Sequence, residues 1–298
     1  MTTIGVDYAS VDGDAPPDFA AAKKAGIRFA IPRAIYGRRA KGQTDNLPVF
    51  VDPTWARDRD AIRAAGLKRT AYLFLCYPKL GVATPDPEVQ AQAFIDYVKL
   101  DRSVDFCPML DVEEAAPNLS GEEMYAWTLR AVEKLRAHYG TWPGIYTSAR
   151  VWAENVHGHS PGVMLNCPLW LAKPWPWPVG TMRHLDGAPG YNATTIPEFS
   201  NQWFLYQYQG DATHCPGFTS TVDMSRFRVF GKGALGAHVV WAQRRLGVKV
   251  DGNFGYETDR AVRALQTAYR LTVDGIVGAD TFAVLSWIIP TAAAQSTP

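Results

Sequence analysis

Apolar and polar residues trade periodicity repeatedly along the first two thirds of the chain. Asp18–Ala25 has helical spacing and stops at Gly26, and Arg28-Phe-Ala-Ile-Pro-Arg-Ala34 follows at once as an apolar run of strand length. Arg57–Ala65 is helical again, is closed by Gly66, and leads into the strand Arg69–Cys76. Pro87–Leu100 predicts a third helix, before the strand Phe106–Val112. A helix closed by glycine and followed by a buried strand is the mark of β/α units. Ser120 and Glu123 have capping-box spacing, Met124, Trp127, Ala131 and Leu135 share one face of the helix that follows, and Gly140 ends it. With Ile4–Tyr8, Gly144–Tyr146, Leu169–Ala172, Phe204–Tyr208 and Val222–Arg226 the strands reach about eight, so the pattern predicts an α/β fold, a β/α barrel. The second half is rich in Pro, Gly and Trp, which predicts an irregular barrel with some helices lost.

From residue 230 the texture changes. Phe230–Gly236 reads as a linker, which bounds a first domain at 1–229. Val250-Asp-Gly-Asn-Phe-Gly-Tyr-Glu-Thr258 returns as Val273-Asp-Gly-Ile-Val-Gly-Ala-Asp-Thr281, each copy a glycine turn before a helix. His238–Leu246, Tyr256–Tyr269 and Ala279–Ile288 then predict a small all-α three-helix domain over 237–289, and 290–298 reads as a disordered tail.

Composition narrows the classes. The chain has 298 residues, and 47% hydrophobic with 20% charged fits a folded protein. Thirty basic against 29 acidic residues leave a net charge of +1, which argues against a dedicated nucleic-acid binder. No apolar run approaches the roughly 20 residues of a membrane span. Met1–Asp7 enters a strand without a basic or apolar leader, so synthesis in the cytoplasm without a signal peptide is expected. Cys76, Cys107, Cys167 and Cys215 are scattered and form no CxxC pair, and read as buried free thiols, a later disulfide outside the cell remaining open. His157-Gly-His159 has no helix or partner carboxylate, and Asp-Gly-x-x-Gly lacks the oxygen ligands of a calcium loop. No metal and no cofactor are expected, and Asp251 and Asp274 are read as turn braces.

The chemistry centres on Met109-Leu-Asp-Val-Glu113. Asp111 and Glu113 stand two apart on a predicted strand and face the same way, at the end where barrels carry their catalytic groups. Close carboxylates raise one another's pKa, which separates an acid from an ionised partner, as glycoside hydrolysis needs. Alone, the pair also fits a solvated strand end. Asp7 on the first strand and Asp223 on the last add two carboxylates, since the first and last strands of a closed barrel are neighbours. A buried ion pair is the alternative for each. Glu114 alternates away from the mouth. Tyr36, Tyr72, Tyr146, Trp170 and Tyr206 lie on strands or strand ends as sugar-stacking candidates, with core packing as the other reading. Trp175-Pro-Trp177-Pro reads as an extended cleft wall or a surface-packing loop.

These residues resemble the glycoside hydrolase family 25 lysozymes. The resemblance runs through Gly5-Val-Asp-Tyr8, Gly26–Gly37, Ala65-Gly-Leu67, Ala71-Tyr-Leu-Phe74, Leu110-Asp-Val-Glu113, Pro143-Gly-Ile-Tyr-Thr147, Pro168-Leu-Trp-Leu-Ala172, Tyr206-Gln-Tyr208 and Val222-Asp223, in the family's order. It implies a flattened β/α barrel that cleaves peptidoglycan after N-acetylmuramic acid with retention. Glu113 would be the general acid/base, Asp111 would hold the acetamido group or act as the second carboxylate, and Asp7 and Asp223 would line the cleft. Leu73 after Tyr72, and Tyr8-Ala-Ser-Val-Asp12, depart from the family's histidine-bearing pattern and bear on subsite contacts.

Residues 236–287 resemble peptidoglycan-binding domain 1, and Val262 and Gln266 lie on a helix that could contribute to a binding face, with no ligand placed there. A wall binder beside a hydrolase raises the enzyme's local concentration at the polymer. The resulting expectation is a monomeric two-domain muramidase of phage-endolysin type. It would act on bacterial peptidoglycan after a holin-type release, with no nucleic acid bound and no membrane insertion. A non-catalytic wall binder and a lytic transglycosylase or amidase are the alternatives.

Overall fold

The computed structural model describes residues 3–9, 15–155, 162–172, 180–181 and 203–290. Eight strands close a barrel in chain order: β1 (Thr3–Tyr8), β2 (Ile27–Tyr36), β3 (Tyr72–Phe74), β4 (Met109–Asp111), β5 (Gly144–Ser148), β6 (Leu169–Ala172), β7 (Leu205–Thr213) and β8 (Val222–Phe227). The first seven run parallel, and β8 is antiparallel to both β7 and β1. The reversal follows from chain length. A parallel return needs a crossover of about a dozen residues or more, and only 214–221 separate β7 from β8. The start of β8 therefore lies at the mouth, beside the ends of the other strands. Short strands at Phe50–Val51 and Lys68–Arg69 extend the sheet on β2, and Gly180–Thr181 on β7.

The helices begin and end where local chemistry dictates. In α1 (Phe19–Lys24), Asp18 accepts from Ala20 N and Ala21 N. α2 (Pro53–Ala64) starts a turn earlier than its hydrophobic pattern suggests, because Asp52 caps it and Pro53 occupies the first turn. α3 is Pro87–Tyr97. α4 (Gly121–Tyr139) opens on the reciprocal Ser120–Glu123 capping box and closes on Gly140 at φ 62°, a left-handed position that glycine adopts without strain. Among the described residues, the crossover after β5 holds α5 (Ala149–Asn155) and a short 3-10 turn at Gly162–Asn166, and the β7–β8 link has no helix.

Strand alternation sorts the core into two layers. Ile4, Val6 and Tyr8 of β1 face outward among the helices with Trp55 and Ile62, whereas Gly5 and Asp7 face the barrel axis. Gly5 is dictated by its neighbour: a Cβ there would sit 2.2 Å from the Phe29 ring, which fills the barrel floor.

The C-terminal module is α6 (Ala237–Leu246), α7 (Tyr256–Ala268) and α8 (Ala279–Leu285). Its sequence repeat is a structural repeat. Gln243 Nε2 donates to Asp251 Oδ1 (2.9 Å), Asn253 O (3.0 Å) and Thr258 Oγ1 (3.1 Å). Gln266 Nε2 makes the corresponding bonds to Asp274 Oδ1 (2.8 Å), Ile276 O (3.0 Å) and Thr281 Oγ1 (3.1 Å). Asp251 and Asp274 thus brace turns. Gln266 is spent inside its turn and Val262 is fully buried, so neither is presented on a binding face.

The module is packed against the floor of the barrel. Phe282 of α8 meets Phe106, Phe204 and Phe227 at 5.6, 5.1 and 4.9 Å between ring centroids. Ser286 Oγ accepts from Cys107 N at 3.1 Å, and Trp287 Nε1 donates to Asp105 O at 2.8 Å. Residues 230–236, read as a linker, are held as well. Phe230 is buried and pairs through its backbone with Val277. All four cysteines are buried free thiols.

Candidate active site

The mouth gathers four carboxylates from three strands. Asp7 at the end of β1 and Asp223 at the start of β8 are directly paired residues across the sheet. Asp111 ends β4, between Phe74 of β3 and Tyr146 of β5. Glu113 follows two residues later. Exposure grades outward: Asp7 and Asp111 are each 5% exposed, Asp223 is half-buried and Glu113 is open to solvent at the rim. Leu110 and Val112, which alternate with Asp111 and Glu113, are fully buried in the outer layer. The parity argument for Asp111 and Glu113 thus matches the fold.

Asp7 accepts from Gln207 Nε2 (2.8 Å) and Ser225 Oγ (3.2 Å), and Ser225 Oγ in turn accepts from Trp170 Nε1 (3.0 Å). Asp223 accepts from Asp211 N (2.7 Å) and from the same Gln207 nitrogen (3.1 Å). Asp111 Oδ1 is buried with no hydrogen-bond partner. That vacancy is an acceptor waiting for a donor.

Burial raises all four groups. Asp7 is held well above the usual carboxylate range by burial and by the Asp223 charge. Asp111 is held there by burial and by Glu113, against the pull of Arg33. Although solvent reaches Glu113, the cleft walls desolvate its carboxyl, and with Asp223 beside it the group is pushed up to about 7. Burial brings Asp223 to about 6. Glu113, at the rim and poised to give a proton near neutrality, suits general acid catalysis.

The aromatic candidates divide. Tyr36 and Tyr72 face the mouth and are partly exposed; Tyr36 stacks on Phe74 at 5.1 Å. Tyr146 and Trp170 also face inward, but they are 6% and 2% exposed and support the polar network. Tyr206 does not line the mouth. It alternates with Gln207 onto the outer layer and packs against Trp203 and the Arg226 guanidinium. Gln207, Ser225, Arg33 and Phe74 were missed as site residues. Gln207 had a signal: a polar residue between two tyrosines of an apolar strand is the one that faces inward. Trp175, Trp177, His157 and His159 lie outside the described residues. Among the described residues no cluster of His, Cys, Asp or Glu has the geometry to hold a metal.

Glu114, as its parity requires, turns away from the mouth and ties its loops together. It accepts from Arg38 Nη2, from Tyr77 N at 2.9 Å and from Lys79 Nζ at 2.9 Å. Glu114→Ala leaves the buried Arg38 without this carboxylate beside the backbone that carries Glu113. A loss of about 3–5 kcal/mol is expected in denaturant unfolding. A loss below about 1 kcal/mol would show the three loops held by other contacts.

Residues 6–217 match the sequence model of the glycosyl hydrolases family 25, and residues 236–285 match that of a peptidoglycan binding domain. Among solved structures, a bacterial lysozyme from Streptomyces coelicolor is similar at 22% identity and TM-score 0.57, covering 76% of this chain and 93% of that one. A family GH25 lysozyme from Aspergillus fumigatus is similar at 22% and 0.53, covering 76% and 94%. The spore cortex lytic enzyme SleM of Clostridium perfringens is similar at 19% and 0.55, covering 76% and 67%. At these identities the likeness is one of fold. No curated protein matches the chain.

Proposed function

Since the chain belongs to the glycosyl hydrolases of family 25, we propose that it is a peptidoglycan muramidase. Its bond is the β-1,4 link between N-acetylmuramic acid and N-acetylglucosamine, cut with retention. The observation that carries this reading is the carboxylate mouth, with a protonatable Glu113 at the rim over three deeper aspartates. Glu113 gives its proton to the glycosidic oxygen and, as the conjugate base, takes one from the incoming water. Asp111 Oδ1, buried and unmatched, accepts the N–H of the substrate's acetamido group and so orients it at the reacting carbon. Tyr36, Tyr72 and Phe74 offer faces for sugar rings. The peptidoglycan binding module supports the same substrate from the other end of the barrel. An endolysin role belongs to this proposal, on the pairing of the two modules.

The test is digestion of purified peptidoglycan with mass spectrometry of the fragments. Fragments ending in reducing N-acetylmuramic acid are expected. Reducing N-acetylglucosamine ends, anhydro ends or freed stem peptides would overturn the bond assignment. Absence of any release by folded protein from several wall types would overturn the reading as an enzyme of the wall.

A further inference from the structure

β7 does not run in even register with β8. Leu205, Tyr206 and Gln207 pair in step with Phe227, Arg226 and Ser225, but Gln209 then pairs with Met224 and Ala212 with Val222. Each shift gives β7 one residue more than its partner, which is the mark of a β-bulge. Asp223 falls inside the second bulge. On one side it pairs with Asp7 of β1, and on the other it faces the stretch between Gln209 and Ala212. The extra length turns the backbone over. Asp211 is left-handed at φ 47°, a conformation that strains most residues and that aspartate, asparagine and glycine tolerate best. Its N–H is thereby aimed at a side chain, and it donates to Asp223 Oδ1 at 2.7 Å. Gln207 Nε2, at the near end of the bulged stretch, donates to Asp223 Oδ2 at 3.1 Å. Both oxygens of Asp223 are held from β7, while the Asp211 side chain itself is exposed.

We propose that Asp211 is a positioning residue: its left-handed backbone, which the bulges of β7 create, supplies the N–H that with Gln207 fixes Asp223 in one orientation at the mouth. The conformation of Asp211 does this, and its carboxyl group does not. A backbone N–H can only donate, and two donors on two oxygens suit the ionised form of Asp223. Burial raises Asp223 to about 6; the Asp211 N–H works against that rise, and the Asp211 charge adds to it. The Asp223 charge in turn helps to hold the proton on Glu113. One residue thus makes two contributions of opposite sign, and substitution removes them separately.

The titratable groups that act with Asp223, among the described residues, are Asp7 of β1, Tyr72 of β3, Asp111 at the end of β4 with Glu113 beyond it, Tyr146 of β5 and Asp211 of β7. Arg33 of β2 acts on Asp111 and Tyr72 from the same mouth. Changes confined to Asp211 leave all the others in place.

The reaction that this clamp serves rests on the muramidase reading, so the test reads Asp223 directly as well as turnover. Full-length protein labelled with ¹³C at aspartate carboxyls is titrated by NMR, with Asp223 assigned by its loss in Asp223→Asn. A wild-type midpoint near 6 is expected. Asp211→Val brings a β-branched side chain that resists the left-handed region, and the N–H contact is lost. The midpoint then rises by about one pH unit. On purified peptidoglycan kcat falls by about 10–100-fold, with KM held. Asp211→Asn keeps the backbone and removes the charge, so the midpoint falls by about half a unit. Its kcat returns to near the wild-type value, and Asp211→Gly, at ease with positive φ, rescues in the same way. A loose loop would not move the two midpoints in opposite directions. A loss of kcat in Asp211→Asn and Asp211→Gly as deep as in Asp211→Val assigns the role to the carboxyl group and overturns the clamp. An unmoved or lowered midpoint in Asp211→Val overturns it as well. Asp211→Ala, read the same way, serves if the valine variant does not fold. Opposite shifts of the midpoint in a protein that cuts no peptidoglycan leave the clamp on Asp223 standing and remove the muramidase reading instead.

Discussion

Glu113→Gln is expected to slow cleavage of purified peptidoglycan by about 10²–10⁴-fold. The amide keeps the size and shape of the side chain, but it has no proton to deliver at neutral pH. Binding to the wall should survive, because the carboxamide still fills the rim and the C-terminal module is untouched. The fold should survive too, with a definite pH signature. A carboxyl raised to about 7 in the folded state contributes stability below its unfolded value of about 4.3, and that contribution is lost as pH rises through 7. Glu113→Gln should therefore gain thermal stability relative to wild type between pH 4 and 7, with no further gain above. An enzyme that keeps more than about a tenth of its activity as Glu113→Gln has its acid elsewhere, and Asp223, half-buried and raised to about 6, is where to look next.

Much of this site was legible before any coordinates, because period-2 alternation is a strong constraint. It placed Asp111 and Glu113 on one face, sent Glu114 and Val112 to the other, and brought Asp7 to the same mouth. Asp223 was reached through barrel closure, and the closure holds. Its strand runs the other way from its seven companions, however, and only that reversal puts an early-strand residue at the mouth. Glycine-closed helices and the Ser120–Glu123 box located α1 and α4 to within a residue or two. What was not legible is what a strand's neighbours do with a side chain. Tyr206 and Tyr146 read alike in sequence, yet parity puts one under Trp203 and the other at the centre of the polar network. Gln207 was passed over beside Tyr206, which reads as a stacking group. The docking of the C-terminal module was invisible for a related reason: the aromatics that receive it read as ordinary strand residues of the barrel.

Removal of the C-terminal module is expected to unfold the barrel rather than release a free catalytic domain. Phe106, Phe204, Phe227 and Phe230 are between 0 and 6% exposed, and all belong to one cluster with Trp241, Phe254 and Phe282 of the module. A chain ending at residue 229 exposes the first three on the barrel floor, at about 1.5–3 kcal/mol for each side chain returned to water. It also strands polar groups. Cys107 N loses Ser286 Oγ, Asp105 O loses Trp287, and Asn166 O loses Arg245. Arg245 shows how closed the seam is. Its guanidinium is stacked 3.7 Å from the Trp241 ring centre, and burial lowers it to about 9. Phe282→Ala tests the same seam in the intact chain, with an expected cost of about 3–5 kcal/mol. The wild-type protein should then melt in a single calorimetric transition, with the van't Hoff and calorimetric enthalpies equal. Two resolved transitions, or a 1–229 fragment that stays folded and active, would make the module a separable passenger. A single transition makes it the floor of the enzyme. On the proposed function, a module fixed at the opposite end from the mouth would engage a stretch of wall other than the one being cut.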